Sequence, residues 1–157
     1  MVRTFAVASL ALVACAGEGG ALGTASLTLD GSTIANAAWL QPLAQGGDYG
    51  GWSVMFASVG GGRDCSDAPP AVVAELDLDL ATPSSAPEPI AIGTYELGEC
   101  DGSACGSLDL VMLGIGAAGS AAITTADLTQ IAGSLAAVGS DADAPSFAGS
   151  FTAERCF

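Results

Sequence analysis

Hydrophobic residues recur at every second position of this chain in short runs, and each run closes on glycine, proline, asparagine or aspartate. That is the signature of β-strands with one face on a core, separated by turns. Ala25-Ser26-Leu27-Thr28-Leu29 alternates and stops at Asp30-Gly31, a dipeptide that favours a tight hairpin turn. Trp52 to Val59 is apolar on both faces, as expected of a strand covered on both sides, and Gly60-Gly61-Gly62 ends it. The clearest alternation runs from Ala71 to Leu80. There Val72, Ala74, Leu76, Leu78 and Leu80 share one face, and Glu75, Asp77 and Asp79 share the other. Three carboxylates in a row read either as a cation-binding ladder or, the preferred and plainer reading, as the wet face of a half-exposed strand.

The segment Thr82 to Pro89 carries Pro83, Pro87 and Pro89 and reads as a loop. Further strands are expected at Ile92–Leu97, Leu108–Leu113, Ala121–Asp127, Ile131–Val138 and Phe147–Glu154. The last two resemble each other: Ile131-Ala132-Gly133-Ser134-Leu135 against Phe147-Ala148-Gly149-Ser150-Phe151. Each places a glycine between two large apolar residues on the inward face. Joined through Gly139 to Ser146, they read as an antiparallel hairpin. Ile34 to Leu43 is Ala-rich and fits a strand or a helical turn. Eight or nine short strands at this spacing predict an all-β fold, a single antiparallel β-sandwich or barrel-like domain over residues 25–157.

The first residues follow another logic. Met1 and Arg3 precede an apolar run from Phe5 to Val13 that ends in small residues, the layout of a secretory signal peptide. The run is too short to cross a bilayer, which takes about 20 apolar residues. Leu12-Val13-Ala14-Cys15 resembles the bacterial lipobox, in which cleavage falls before the cysteine and that cysteine is acylated. The rival is ordinary secretion, because Ala14-Cys15-Ala16 also fits a small-x-small cleavage site. The lipobox reading makes residues 1–14 a signal peptide, Cys15 the lipidated first residue and 15–24 a short tether. It places the protein outside the cytosol, membrane-bound through fatty chains, at the outer membrane or cell surface. Ala16, where an aspartate would resemble an inner-membrane retention signal, agrees with outer-membrane sorting.

The mature chain keeps Arg63 and Arg155 as its only cations against all 17 acidic residues, and the whole sequence contains no histidine. Such a balance repels nucleic acid and anionic headgroups; it favours solubility, cations or basic partners. Cys65, Cys100, Cys105 and Cys156 remain besides Cys15. An even number in an exported chain reads as two disulfides with three connectivities open. Cys100 and Cys105 bracket Asp101-Gly102-Ser103-Ala104, a turn-forming stretch that would bring their sulfurs together. In that connectivity Cys65–Cys156 ties mid-chain to the last strand.

The order of these features resembles uncharacterised small all-β lipoproteins of myxobacteria and related Gram-negative bacteria. The shared elements are a lipobox, a strand ending in Asp-Gly, a central strand followed by Cys65, the Gly93-Thr94-Tyr95 strand, Gly133-Ser134, and Gly149-Ser150-Phe151 closing on Cys156. The resemblance spans most of the mature chain through short motifs. It implies the pairing Cys65–Cys156, with Cys100–Cys105 as an addition, and it implies no activity.

The available chemistry is narrow. Without histidine the common general acid–base and nucleophile pairs are missing, and the mature chain lacks the lysine of Schiff-base enzymes. Gly60-Gly61-Gly62-Arg63 lacks the Lys-Ser/Thr ending of a phosphate loop. Zinc is disfavoured by the absence of histidine and of a Cys-x-x-Cys pair. No cofactor is expected, since loop acids read first as solvated side chains; the alternative is calcium, because Asp64 and Asp67 flank Cys65, Asp101 follows Cys100, and Asp141 and Asp143 sit in the last hairpin loop, all hard oxygen donors. A carboxylate-based, glycosidase-like hydrolase is a further alternative, since two acids suffice for that chemistry. Few aromatics are available to build its cleft. The expectation is a non-catalytic envelope lipoprotein, a binding or structural module with an envelope protein or glycan as partner, and no catalytic residues.

Overall fold

A computed structural model of the chain describes residues 21–45, 47–61, 64–65, 69–98, 105–140 and 143–156. The signal-like run, the cleavage site and Cys15 lie outside these residues, as do Asp67, Cys100, Asp101 and Asp141. Nine strands form: β1 (Gly23–Leu29), β2 (Ser32–Gln45), β3 (Asp48–Ala57), β4 (Ala74–Ser84), β5 (Gly93–Leu97), β6 (Cys105–Leu110), β7 (Ile115–Ala126), β8 (Gln130–Gly139) and β9 (Ser146–Arg155). They close into one barrel in the order β1-β2-β3-β4-β6-β5-β7-β8-β9. The expected all-β fold is therefore realised as a barrel and not as a sandwich. The pairing is antiparallel except for two short parallel contacts, β2 with β9 and β5 with β6.

Alternation decides which residues enter. Leu27, Leu40, Trp52, Val54, Phe56, Leu76, Leu78, Leu108, Ile131, Phe147 and Phe151 fill the interior, with Phe56 and Phe151 edge-to-face at 5.4 Å between centroids. Glu75, Asp77, Asp79 and Asp109 face outward. Apolar inside and charged outside is the inverse of a lipid-facing barrel. The two glycines of the related strands serve closure. Gly133 pairs with Phe151 on one side and Ile123 on the other, and Gly149 pairs with Leu27 and Leu135. A Cβ on Gly149 would run into the Ser26 carbonyl, and one on Gly133 into that of Ala122. Neighbouring strands can thus bend sharply toward each other at these points, as a small barrel requires.

Several boundaries differ from the sequence-based expectation. The barrel begins at Gly23, two residues inside the expected tether. The ambiguous Ile34–Leu43 stretch is strand throughout; Pro42 pairs with Trp52 of β3, and the parallel contact with β9 on the other edge ends at Leu40. The missing proline N–H is therefore not needed. Conversely, Val111 to Leu113 is not strand but the exposed tip of the β6–β7 hairpin, where the Leu113 and Gly114 amides both donate to the Leu110 carbonyl. The expected Thr82–Pro89 loop starts later, because β4 runs on to Ser84.

The connections divide the barrel into two ends. The upper end carries the β1–β2, β6–β7 and β8–β9 turns. The lower end carries the β2–β3, β4–β5 and β7–β8 connections, the start of β1 and the end of β9. At the upper end Asp30 and Gly31 take the positive φ of a tight turn, 48° and 80°. Asp30 Oδ1 accepts hydrogen bonds from the Ser146 amide and hydroxyl, sewing that turn to the start of β9.

The long β3–β4 connection leaves the upper end, where Asn36 makes a two-way bond with the Val59 backbone. Near its middle it reaches the lower end: Asp64 bridges Ala21, and Cys65 is disulfide-bonded to Cys156 with Cα atoms 4.9 Å apart. It is back at the upper end by Val73, whose amide donates to the Phe56 carbonyl. On the β2–β3 wall the outward-facing Ala37, Trp39, Ser53 and Ala57 are buried outside the main core. Cys105 is also disulfide-bonded.

Candidate functional site

The barrel interior is packed, so a ligand site has to lie on its rim or walls. Two places stand out: the acidic outer wall of β4 and a cavity at the lower rim beside it.

On the wall, β4 holds Glu75, Asp77 and Asp79 on one face, and β6 adds Asp109 directly opposite Glu75. The face is not the freely wetted one expected from the sequence, because all three β4 acids are half-buried. Asp77 accepts a short hydrogen bond from the hydroxyl of Ser53, a buried residue paired with it across β3 and β4. Burial raises the Asp77 pKa above its ordinary 3.8; the Ser53 bond works against that rise and the Asp109 charge adds to it. Glu75 is raised above 4.5 by burial first, then by Asp77 and Asp109, with Ser53 opposing. Asp79 is raised by burial and by Asp77.

The sign of the pH dependence follows. The folded state takes up these protons at higher pH than the unfolded chain does. Stability therefore rises as pH falls from neutral through the raised values, and the gain is complete below the ordinary values of 3.8 to 4.5. The melting temperature is expected to be higher at pH 5 than at pH 8, with a flatter profile in Asp77→Asn, whose amide oxygen still accepts from Ser53. A wild-type melting temperature lower at pH 5 than at pH 8 would contradict the assignment. Asp127 opposes the trend: its Oδ1 accepts from the Thr129 amide and hydroxyl and from the Gln130 amide, which lowers its pKa at the β7–β8 turn.

The rim cavity has a volume of about 450 Å³ and is lined by Asp79, Leu80, Ala81, Thr82, Pro83, Ser84, Glu88, Pro89, Ala91 and Tyr95. It owes its shape to a wide bulge. Gly51 pairs with Asp79 and Tyr49 with Ser84, so Leu80–Pro83 of β4 stand opposite the single residue Gly50. The β4–β5 loop that faces this bulge is pinned along its length. Trp52 Nε1 donates to the Glu88 carbonyl at 2.7 Å, Ser84 Oγ donates to Glu88 Oε1 at 2.7 Å, and Tyr95 Oη donates to the Ala91 carbonyl at 3.0 Å. Arg155 stacks over the Trp52 ring, 5.5 Å from its centroid. Tyr95 is buried, and that burial is the main cause of its raised pKa; the Ala91 bond opposes it and the Asp79 charge adds to it.

The sequence-predicted calcium ligands do not converge where they are described. Asp64 lies at the lower end beside Cys65, whereas Asp143 precedes β9 at the upper end. The length of β9, roughly 30 Å at 3.3 Å per residue, separates them. Among the described residues no cluster of three or more histidine, cysteine, aspartate or glutamate side chains is arranged to hold a metal ion. The rim cavity was not anticipated, because Asp79 belonged to an apparent wet face and Glu88 to an apparent loop. Its one legible trace is the run of prolines after an acidic strand.

No protein-family model, curated protein or solved structure matches the chain.

Proposed function

We propose that this protein is an exported, lipid-anchored β-barrel of the cell envelope, held at the outer membrane or cell surface through Cys15. It acts there as a non-catalytic binding or structural module. The observation that carries the reading is the geometry of the lower end. The start of β1, the Ala21–Asp64 bridge and the Cys65–Cys156 disulfide meet there, so the root of the expected tether is bridged to a segment that an oxidised bond ties to the end of β9. Disulfides of this kind persist in oxidising, extracytoplasmic compartments. Ala21 lies six positions after Cys15, a reach of at most about 21 Å. Such a tether presents the lower end to the bilayer and the Val111–Leu113 tip away from it. Acyl chains on one cysteine supply the anchor, each buried methylene adding about 0.8 kcal/mol.

The test is phase partition. The wild-type chain expressed in a lipoprotein-processing bacterium is expected in the detergent phase, labelled by radioactive palmitate, and Cys15→Ser in the aqueous phase without label. A serine variant that still partitions with detergent would overturn the anchor. A carboxylate-based hydrolase is the second reading, favoured by one observation: Asp79 and Glu88 line the same cavity with Tyr95. Turnover of nitrophenyl glycosides that disappears in Asp79→Asn would replace the non-catalytic reading with that one.

A further inference from the structure

We propose that the cavity at the lower rim binds a primary ammonium or guanidinium group carried on a short apolar stem. The inference rests on the binding part of the function proposed above and is independent of the lipid anchor.

Four features of the cavity converge on this ligand class. It is preformed: the bulge of β4 is held between two ladder pairs, and the facing loop is bonded to Trp52, Ser84 and Tyr95 at its middle and end. A ligand entering it orders little that is not already ordered, which preserves affinity. Its volume of about 450 Å³ falls in the range of small-molecule sites.

Its lining is of two kinds. Asp79 and Glu88 bring carboxylates and Thr82 and Ser84 bring hydroxyls, while Pro83 and Pro89 give apolar wall. Among the described residues the only cation is Arg155; it stacks on Trp52 and does not line the cavity. An organic cation supplies the charge complement, its N–H donors meet the carboxylate and hydroxyl oxygens, and its methylenes meet the prolines.

The alternatives fit less well. A bare divalent ion needs six or more oxygen ligands in convergence, and the described residues hold no cluster of three acidic side chains so arranged. A sugar needs an aromatic face to stack on, whereas Tyr95, the only aromatic lining the cavity, is buried in the core with its hydroxyl committed to Ala91.

The surrounding field favours the same class. The whole chain carries a formal charge of −14, and Glu75, Asp77 and Asp109 extend the acidic surface upward from Asp79. This attracts cations toward the rim and speeds their encounter, more strongly at low salt. Burial beside Asp77 disfavours the Asp79 charge, and a bound cation removes that penalty.

The chemistry has two natural sources, a free polyamine and the lysine or arginine side chain of a basic peptide. Isotope-labelled full-length chain carrying Cys15→Ser is titrated with spermidine, with a Gly-Lys-Gly peptide acetylated at its N-terminus, and with the same peptide acetylated on lysine as well. Saturable amide shifts confined to Thr82, Ser84, Ala91 and Tyr95 are expected with the charged probes and absent with the lysine-acetylated one. Whichever charged probe binds more tightly names the source. Glu88→Gln, at an exposed position, is expected to weaken binding at least tenfold while melting cooperatively, and Asp79→Asn to do the same. Asp109→Asn, on the wall above, is expected to leave binding unchanged. Shifts spread along Glu75, Asp77 and Asp109 that survive Glu88→Gln would overturn the site in favour of diffuse attraction by the acidic surface. Calcium reproducing the same confined shifts would overturn the ligand class. An amine that fails to bind, alongside a wild-type chain that still partitions into detergent, overturns this inference alone and leaves the anchored module standing.

Discussion

Cys65→Ser/Cys156→Ser is expected to lose about 4.5 kcal/mol of unfolding free energy, the largest loss from any surface-proximal change in this chain. The disulfide joins residues separated by 91 positions, and in the chain-entropy treatment the stabilisation grows with the logarithm of the closed loop. The Cα separation of 4.9 Å lies within the usual range for a disulfide. Its position adds to the effect. Together with the Ala21–Asp64 bridge it holds the Asp64–Cys65 stretch of the β3–β4 connection at the lower end. Urea unfolding of the variant, compared with wild type under non-reducing conditions, checks the prediction. A midpoint within error of wild type would mean that the connection is held by something other than the disulfide. Because serines replace only this pair, the disulfide at Cys105 stays intact and does not confound the comparison.

Trp52→Ala is expected to cost about 4 kcal/mol, the range for deleting a fully buried indole. Three separate losses add up here. The ring is only 1% exposed and fills the lower half of the core. Its Nε1 is the donor to the Glu88 carbonyl, so the β4–β5 loop loses its central anchor. Its face supports the Arg155 guanidinium. Trp52→Phe separates the terms: it keeps an aromatic ring but not the donor, and about 1 to 2 kcal/mol is expected. Hydrogen exchange supplies the second measurement. In Trp52→Phe the amides of the β4–β5 loop are expected to exchange faster while those of β8 and β9 keep their protection. Uniform acceleration across the barrel would show that the indole bond does not anchor the loop in particular.

The two variants mark where the sequence was legible and where it was not. Strands whose faces alternate cleanly announced themselves. Leu76, Leu78 and the intervening acids of β4 needed only the two-residue period of a strand, and Asp30-Gly31 needed only its turn preference. The paired glycines were visible as a repeat, but their purpose was not. That a side chain at Gly149 would strike the Ser26 carbonyl depends on how steeply β9 crosses β1, a long-range matter. The hairpin tip was misread as strand because Val111, Met112 and Leu113 are apolar, and apolarity alone does not distinguish a buried run from an exposed turn. Their exposures of 48%, 52% and 45% come from their place beyond the last ladder pair of β6 and β7.

The rim cavity was illegible for a related reason. Proline content pointed to a loop, and the loop exists, but β4 runs on five residues beyond Asp79 and pairs again at Ser84. A bulge is a disagreement in length between two partner strands, so neither strand's own sequence discloses it. The positions of the two described calcium candidates were hidden on the same ground: Asp64 and Asp143 stand at opposite ends of the barrel.

Local sequence was enough to specify strands over helices, the inward and outward faces of most of them, and the first turn. These depend on side-chain period and turn preference, properties of residues within a few positions of one another. Closure into a barrel, the buried outer face of Trp39 and Ser53 and the cavity between β4 and β5 were decided only in three dimensions. Each depends on register between strands far apart in the chain, which is set by how the whole core packs.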